Sequence, residues 1–325
     1  MKTVLITGGT GSVGQALTKQ LLLDDTNHNL EIRIFNRNEN DQVNMIHELG
    51  DIRVKYYIGD IRDFHRLKRV MEGVDIVFHT AALKHVPIAE ANPFEAVQTN
   101  VLGTQNVIDA CLYNDVKVAI LVGTDKAVSP SNTYGATKML AERLWVNTDI
   151  GIHKTKFIAT RMGNIFGSNG SVVPKFIKQA QAGESITITN PDMTRYSITL
   201  DKAVKFLLEV VEEGMYGDIF IPLLESYNIK DLANAVMDLV PSNVGWKDVG
   251  TREGEKVHEA LISPEEVGKV YLINNKYVIP APGRRLGEYN TDMQKVESQD
   301  IISSFHAQRI LPEDLSSMLY HRELL

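Results

Sequence analysis

Cysteine is all but missing. Cys111 is the single one in 325 residues, which excludes an intrachain disulfide and a thiolate cluster for zinc, and fits a reducing cytoplasm. It lies in Asn106-Val-Ile-Asp-Ala-Cys-Leu-Tyr113, which reads as helix, so a buried structural thiol is expected rather than a nucleophile. Long hydrophobic runs are missing too. No stretch approaches the ~20 apolar residues of a membrane helix, and Met1-Lys2 runs into Val4-Leu5-Ile6 without a signal-peptide h-region. No membrane insertion is expected. The nine histidines contain no His-x3-His pair, and His258-Glu259 lacks a second histidine three residues on, so no metal site is expected. Nor is there a surplus of cations. With 41 acidic against 34 basic residues and a net charge of −7, nucleic acid is disfavoured as a partner, because neutralising a phosphate backbone calls for excess Lys and Arg. A local basic pocket for a small anion stays open.

What remains is ordinary soluble composition, 43% hydrophobic and 23% charged, in a chain long enough for about two units at ~150 residues each. Through residue 160, short β-branched runs alternate with longer amphipathic ones. Strands are predicted at Lys2–Thr7, Leu30–Phe35, Arg53–Tyr57, Val74–Phe78, Lys117–Val122 and Thr155–Thr160, and helices at Ser12–Asp24, Phe94–Asn114 and Asn132–Asn147. This rhythm predicts an α/β fold, a Rossmann-like doubly wound parallel sheet whose ligands sit at the carboxyl ends of the strands. After about residue 165 the pattern loosens into helices such as Asp201–Glu213 and Ile229–Leu239 and isolated strands such as Asp218–Pro222. The expected division is therefore a dinucleotide-binding unit over 1–165 and a smaller mixed α/β, mainly substrate-binding unit over 166–325. The second is interleaved with the first, and its irregular tail is expected to wrap the body or a neighbouring subunit.

Directly after the first strand, Thr7-Gly-Gly-Thr-Gly-Ser-Val-Gly14 places Gly8, Gly11 and Gly14 at G-x-x-G-x-x-G spacing where a helix opens. Glycine permits the tight turn and lets backbone approach a pyrophosphate, which the helix amino terminus attracts. Thr10, Ser12 and Val13 fall in the same loop. At the end of the second strand, Asn36 and Arg37 stand where an NAD site usually presents a carboxylate. A 2′-phosphate suits Arg37, so NADP is expected over NAD, the alternative being a solvated turn arginine. Asp60 and Ile61 are placed to meet adenine, and Thr80-Ala81-Ala82 leaves room for the dinucleotide.

Tyr134 and Lys138, four apart on a predicted helix, share one face. A phenol with a pKa of ~10 needs about 4 kcal/mol of differential stabilisation to become a base near neutrality, and a nearby ammonium can supply part of it. Tyr134 is then the candidate to take a hydroxyl proton, with Lys138 also holding the nicotinamide ribose. After the fifth strand stands Thr124-Asp125-Lys126, where a simple epimerase needs only a hydroxyl. The two extra ionisable groups predict a further proton transfer. If Lys126 is unprotonated in a desolvated pocket it can remove the C5 proton of a sugar oxidised at C4, and Asp125, if its pKa is raised, can protonate a departing C6 hydroxyl. The alternative is a surface ion pair in a loop.

These segments, with Ala81-Ala-Leu-Lys-His-Val-Pro-Ile-Ala-Glu90, Tyr134-Gly-Ala-Thr-Lys138, Arg161-Met-Gly-Asn164, Gly170-Ser-Val-Val-Pro174, Met193-Thr-Arg195 and Arg252-Glu-Gly-Glu-Lys256, resemble the extended short-chain dehydrogenase/reductases. Within them the chain is similar to the soluble, inverting UDP-N-acetylglucosamine 4,6-dehydratases of bacterial surface-glycan pathways, from the first strand to about residue 265. The tail from about residue 270 matches poorly. The resemblance implies NADP as cofactor, a UDP-sugar as substrate and a homo-oligomer. It implies oxidation at C4 with Tyr134 as base, loss of water across C5 and C6, hydride return to C6, and inversion at C5 through Lys126. It also implies that Lys84, Asn164 and Val173 meet the sugar nucleotide, while Arg195, Arg252 and Glu255 hold pyrophosphate and ribose. For Arg252 a structural ion pair with Glu253 or Glu255 is the alternative. His79 and His85 are expected to pack or order loops. A UDP-sugar 4-epimerase and a non-catalytic dinucleotide-binding sensor are the competing readings.

Overall fold

The computed structural model describes residues 1–325 other than 27, 149–153, 169, 241–243, 285, 290–291, 298–302 and 321–325. Six short apolar segments pair in parallel: β1 (Lys2–Thr7), β2 (Leu30–Asn36), β3 (Val54–Ile58), β4 (Ile76–His79), β5 (Val118–Val122) and β6 (Lys156–Thr160). Their order is β3-β2-β1-β4-β5-β6, with Val4 opposite both Ile32 and Ile76. That register puts Val4, Ile6, Ile32, Ile34, Phe78, Ile120 and Ile158 on one face. Leu5, Val77, Ala119, Leu121 and Phe157 fill the other. Both faces are covered, which is why the strands read as nearly continuous apolar runs.

The sheet then takes strands from the second half of the chain. Ile219–Pro222 pairs parallel with β6, followed by antiparallel Lys276–Ile279, Val270–Ile273 and Gln294–Val296. A three-stranded sheet of Asn164–Ile165, Thr194–Ile198 and Glu225–Asn228 lies beside a separate core of Phe166, Phe176, Tyr227, Leu232 and Val236. The tail wraps the chain's own body: the Ser226 amide donates to the Gln308 carbonyl, the Ile310 amide donates to the Ser226 carbonyl, and Leu315 and Leu319 of the helix Pro312–Tyr320 enter that same core.

The helix expected over Phe94–Asn114 is broken. It runs as Pro93–Val97, a π-helical turn Gln98–Leu102, and Gly103–Tyr113. The wider turn leaves Asn100 buried with its side chain directed away from the helix ladder: its amide nitrogen donates to the Leu83 carbonyl and to Thr137 Oγ1, both at 3.0 Å, and its oxygen accepts from the Leu83 amide at 2.8 Å. The helix Thr133–Val146 is one residue shorter at each end than expected, because Asn132 and Asn147 are its caps; Asn132 Oδ1 accepts from the Gly135 amide at 2.8 Å.

Candidate active site

The strand order reverses between β1 and β4, the position where doubly wound sheets bind ligands. A cleft of about 760 Å³ opens there. One wall is the glycine loop. Gly8 has φ +69°, and a Cβ on it would stand 2.8 Å from the Ala81 backbone; one on Gly14 would stand 2.5 Å from the backbone of Gly9. No side-chain hydrogen bond caps the helix Ser12–Asp24, whose amino terminus suits an anionic ligand. Gly8, Thr10, Gly11, Ser12, Val13, Asn36, Arg37, Asp60, Ile61 and Ala81 all line the cleft, whereas Gly14 lies beneath the loop. This backbone cradle fits a dinucleotide pyrophosphate.

At the far end of the cradle Asn36 is committed to structure. Its amide nitrogen donates to Thr10 Oγ1 at 2.8 Å, and its oxygen accepts from Gln42 Nε2 at 2.6 Å. Arg37, in contrast, is 59% exposed and only 3.7 Å from Asp60 Oδ2. Asp60 is taken up by Arg62, whose Nε and NH2 both reach Oδ2, at 2.9 and 2.8 Å. Burial alone would raise the Asp60 pKa, but the Arg62 contact outweighs it and lowers the carboxyl below its usual range.

The reactive end is built on the turn after β5. Thr124 caps a 3-10 turn, Asp125–Ala127, and its hydroxyl donates to Asp125 Oδ1 at 2.9 Å. Lys126 Nζ donates to the same oxygen and to Asn164 Oδ1, each at 3.0 Å. Asp125 is fully buried and its Oδ2 has no hydrogen-bond partner. Lys126, Asn164, Thr124, Tyr134, Lys138 and Lys84 all line the cleft. Burial lowers the Lys84 pKa. Lys138 Nζ donates to the Val122 carbonyl at 3.1 Å.

Two expectations need correction here. Lys126 is not a neutral lysine: burial alone would lower its pKa, but the carboxylates of Asp125 and Glu259 raise it, so it is held as the ammonium. Tyr134 is pushed up rather than down, chiefly by burial, and the cation that counters this is Lys126, helped by the Thr124 hydroxyl. Lys138 is lowered by burial to about 8, with Glu142 the only group acting in the opposite direction.

The residues expected to meet substrate divide. Asn164 and Lys84 face the cleft. Val173 is 1% exposed and packs in the second core, while the adjacent Val172 lines the cleft. Arg195 is also buried, and its guanidinium donates to three backbone carbonyls, of Thr194, Val257 and Lys256, at 2.8–3.0 Å. It does not line the cleft, and neither do Arg252 and Glu255. Among the described residues Arg252 makes no side-chain ion pair; Glu255 lies 3.7 Å from Arg195 and accepts from the Arg252 amide. His79 is a packing residue, bonded to Thr7 and Thr104 and stacked on Trp145 at 5.5 Å. The His85 ring lies 2.4 Å from where a Cβ on Gly170 would be, so Gly170, at φ +71°, gives the ring its room. Cys111 is buried, and burial raises its thiol pKa.

Sequence reasoning missed Asn100, the buried ion network of Arg161 with Glu142 and Glu266 behind the Tyr134 helix, and Glu259. A polar residue inside an otherwise apolar helical run was the available signal for Asn100. Among the described residues no group of three or more His, Cys, Asp and Glu could hold a metal, and no helix is long and apolar enough to cross a membrane.

A model of the polysaccharide biosynthesis protein family matches residues 4–281. The chain belongs to that family. A UDP-N-acetylglucosamine 4,6-dehydratase (inverting) of Campylobacter jejuni is 45% identical, covering 90% of this chain and 86% of the relative. A UDP-glucose 4-epimerase of Rickettsia canadensis is 40% identical over 98% of this chain and 95% of its own. Among solved structures, that of Pen from Bacillus thuringiensis superposes with a TM-score of 0.93 at 34% identity, covering 100% of this chain and 98% of the other. The family match ends at 281, so Gln308 and Ile310, which hook onto Ser226, and the helix Pro312–Tyr320 lie beyond it, whereas the Rickettsia relative spans nearly the whole chain.

Proposed function

We propose that this protein is a UDP-N-acetylglucosamine 4,6-dehydratase that inverts C5, with NADP as its resident cofactor. The observation that carries the reading is the Asp125–Lys126 contact of 3.0 Å beside Tyr134 at the cleft. A 4-epimerase returns hydride to the carbon it came from and has no use for a second acid–base pair; a dehydratase needs one. The nearly full-length match to a 4-epimerase favours that activity as the second reading.

The glycine loop and the first amides of Ser12–Asp24 hold the pyrophosphate, and Arg37, with donors to spare, takes a 2′-phosphate. A dinucleotide held by these residues would supply the hydride acceptor for oxidation at C4 and the hydride donor for reduction at C6. Tyr134 takes the C4 hydroxyl proton as a phenolate, a form favoured by Lys126 and Thr124 and opposed by burial. One proton passing from Lys126 to Asp125 gives a neutral amine and a neutral acid with no change in net charge, the pair the elimination requires. Lys126 then removes the C5 proton while Asp125 protonates the C6 hydroxyl, which leaves as water. A solvent proton added to the other face of C5 inverts that centre, and release of the Tyr134 proton to solvent restores the site. Substrate contacts are assigned to Lys84 and Asn164. The single buried cysteine supports a cytoplasmic setting, and the exposed apolar side chains of Phe94, Leu102 and Leu140 support a homo-oligomer.

The test is incubation with UDP-N-acetylglucosamine and mass spectrometry. Loss of one water supports the dehydratase, unchanged mass with altered stereochemistry supports the epimerase, and no turnover leaves a binding protein. Deuterium placed at C4 should appear in the C6 methyl group, and Lys126→Ala should abolish water loss. Product formation by that variant would overturn the assignment of Lys126.

A further inference from the structure

Glu259 is the anomaly of the site. It is 4% exposed, its Oε2 is buried without a hydrogen-bond partner, and its Oε1 reaches only charged neighbours at ion-pair range, Lys126 Nζ at 3.9 Å and Arg195 Nε at 3.8 Å. A buried carboxylate so poorly solvated by hydrogen bonds is costly unless its charge is used. The backbone around it is fixed from the far end of the chain. The Glu259 amide donates to Ser304 Oγ at 3.0 Å, the Ser304 amide donates to the Glu259 carbonyl at 2.9 Å, and Ser304 Oγ also lies 2.7 Å from Thr194 Oγ1. Ser304 is fully buried, so the C-terminal segment stitches the segment around Glu259 to the strand that carries Arg195.

We propose that Glu259 is a positioning residue for Lys126, a buried counter-charge pinned by Ser304 that keeps the lysine ammonium at the cleft floor, with Arg195 as its own permanent partner. Arg195, its NH1 and NH2 groups turned to carbonyls, neutralises Glu259 when Lys126 gives up its proton. The other groups facing Lys126 are Asp125 from its own turn, Asn164 from the short strand, Tyr134 from the helix Thr133–Val146, Tyr227 from Glu225–Asn228, and Lys256. Of these only Asp125 carries negative charge, so removing Glu259 leaves the lysine one carboxylate and two cations, Arg195 and Lys256. Its proton affinity then falls.

Trace acetylation reads this directly, since only the neutral amine reacts. At a fixed alkaline pH, with peptide mapping by mass spectrometry, Glu259→Gln should speed modification of Lys126 about tenfold, equivalent to about one pKa unit. Lys138, which answers to Glu142 instead, should be unchanged and serves as the internal standard. Glu259→Asp, which keeps the charge but retracts it, should give a smaller increase, and it carries the test if Glu259→Gln does not fold. No increase at Lys126 relative to Lys138 overturns the proposal. A second arm rests on the dehydratase reading. The Lys126-dependent limb of the kcat–pH profile should move to lower pH in Glu259→Gln with KM for UDP-N-acetylglucosamine within about twofold, which a merely structural loss does not produce. An unmoved limb counts against the proposal. Wild-type protein that removes no water defeats that reading alone, because the acetylation arm still decides the role of Glu259.

Discussion

Replacing Arg161 by methionine should destabilise the protein by several kcal/mol, through the helix that carries Tyr134 and Lys138. All five guanidinium N–H donors are used: Nε and NH2 reach the two oxygens of Glu142 at 2.8 and 2.7 Å, NH1 and NH2 reach those of Glu266 at 2.7 and 2.8 Å, and NH1 also reaches the Leu261 carbonyl at 3.0 Å. The Arg161 and Glu142 side chains are each 3% exposed, and Glu266 is 10% exposed. Arg161→Met therefore leaves two carboxylates in the interior, Glu266 keeping the Ser263 amide at 2.9 Å and Arg143, 57% exposed, at 3.7 Å as its remaining ion-pair partner among the described residues. Breaking a buried pair in this way costs about 3–5 kcal/mol. An unfolding entropy of ~2.1 cal/mol/K per residue gives roughly 0.7 kcal/mol/K for 325 residues, so the melting temperature should drop by roughly 4–7 °C. Differential scanning calorimetry at neutral pH reads the loss. Adding Glu142→Gln and Glu266→Gln removes the stranded charges and should recover more than half of it. A drop below about 2 °C, or no recovery in the triple variant, would mean that the network does not hold this helix to the 261–266 segment.

Two further outcomes follow from the cleft and its surroundings. Arg37→Glu should lower affinity for NADPH relative to NADH by about tenfold or more, the worth of a charge-assisted phosphate contact, as read by cofactor fluorescence titration; an unchanged ratio would remove the case for NADP. His79 is wholly buried, and burial lowers its pKa from 6.5 to about 3. The unfolded chain therefore takes up the proton first, and the stability His79 provides is complete above about pH 6.5 and lost as pH falls towards 3, by up to about 1.4 kcal/mol per pH unit. Urea unfolding at stepped pH should show this extra slope in the wild type and not in His79→Gln, and parallel curves would refute it.

The legible parts of this protein are those fixed by local geometry. A glycine loop between a strand and a helix can be read because the turn, the uncapped helix start and the close packing of Gly8 and Gly14 are dictated within a few residues. Tyr134 and Lys138 can be read because helix periodicity alone puts them on one face, and Asn132 and Asn147 marked the ends of that helix to within a residue. The choice between Val172 and Val173 was of another kind. It depends on how the helix Val172–Gln181 is turned against a core assembled from nearby Phe166 and from Tyr227 and the tail residues Leu315 and Leu319, which are far from it in sequence. Arg195 was similarly opaque: arginine suits a diphosphate, but three carbonyls supplied by residues 194, 256 and 257 take up its donors. The charge of Lys126 is the sharpest case. Its immediate neighbour Asp125 was visible from the outset, yet burial and one carboxylate alone left the sign of its shift open. Glu259 adds the second negative charge, and Glu259 is where it is because Ser304 holds it there. The ionisation of Lys126 thus depends on its neighbour Asp125 first and on a contact between two distant parts of the chain second, so the C-terminal segment bears on the chemistry of the cleft.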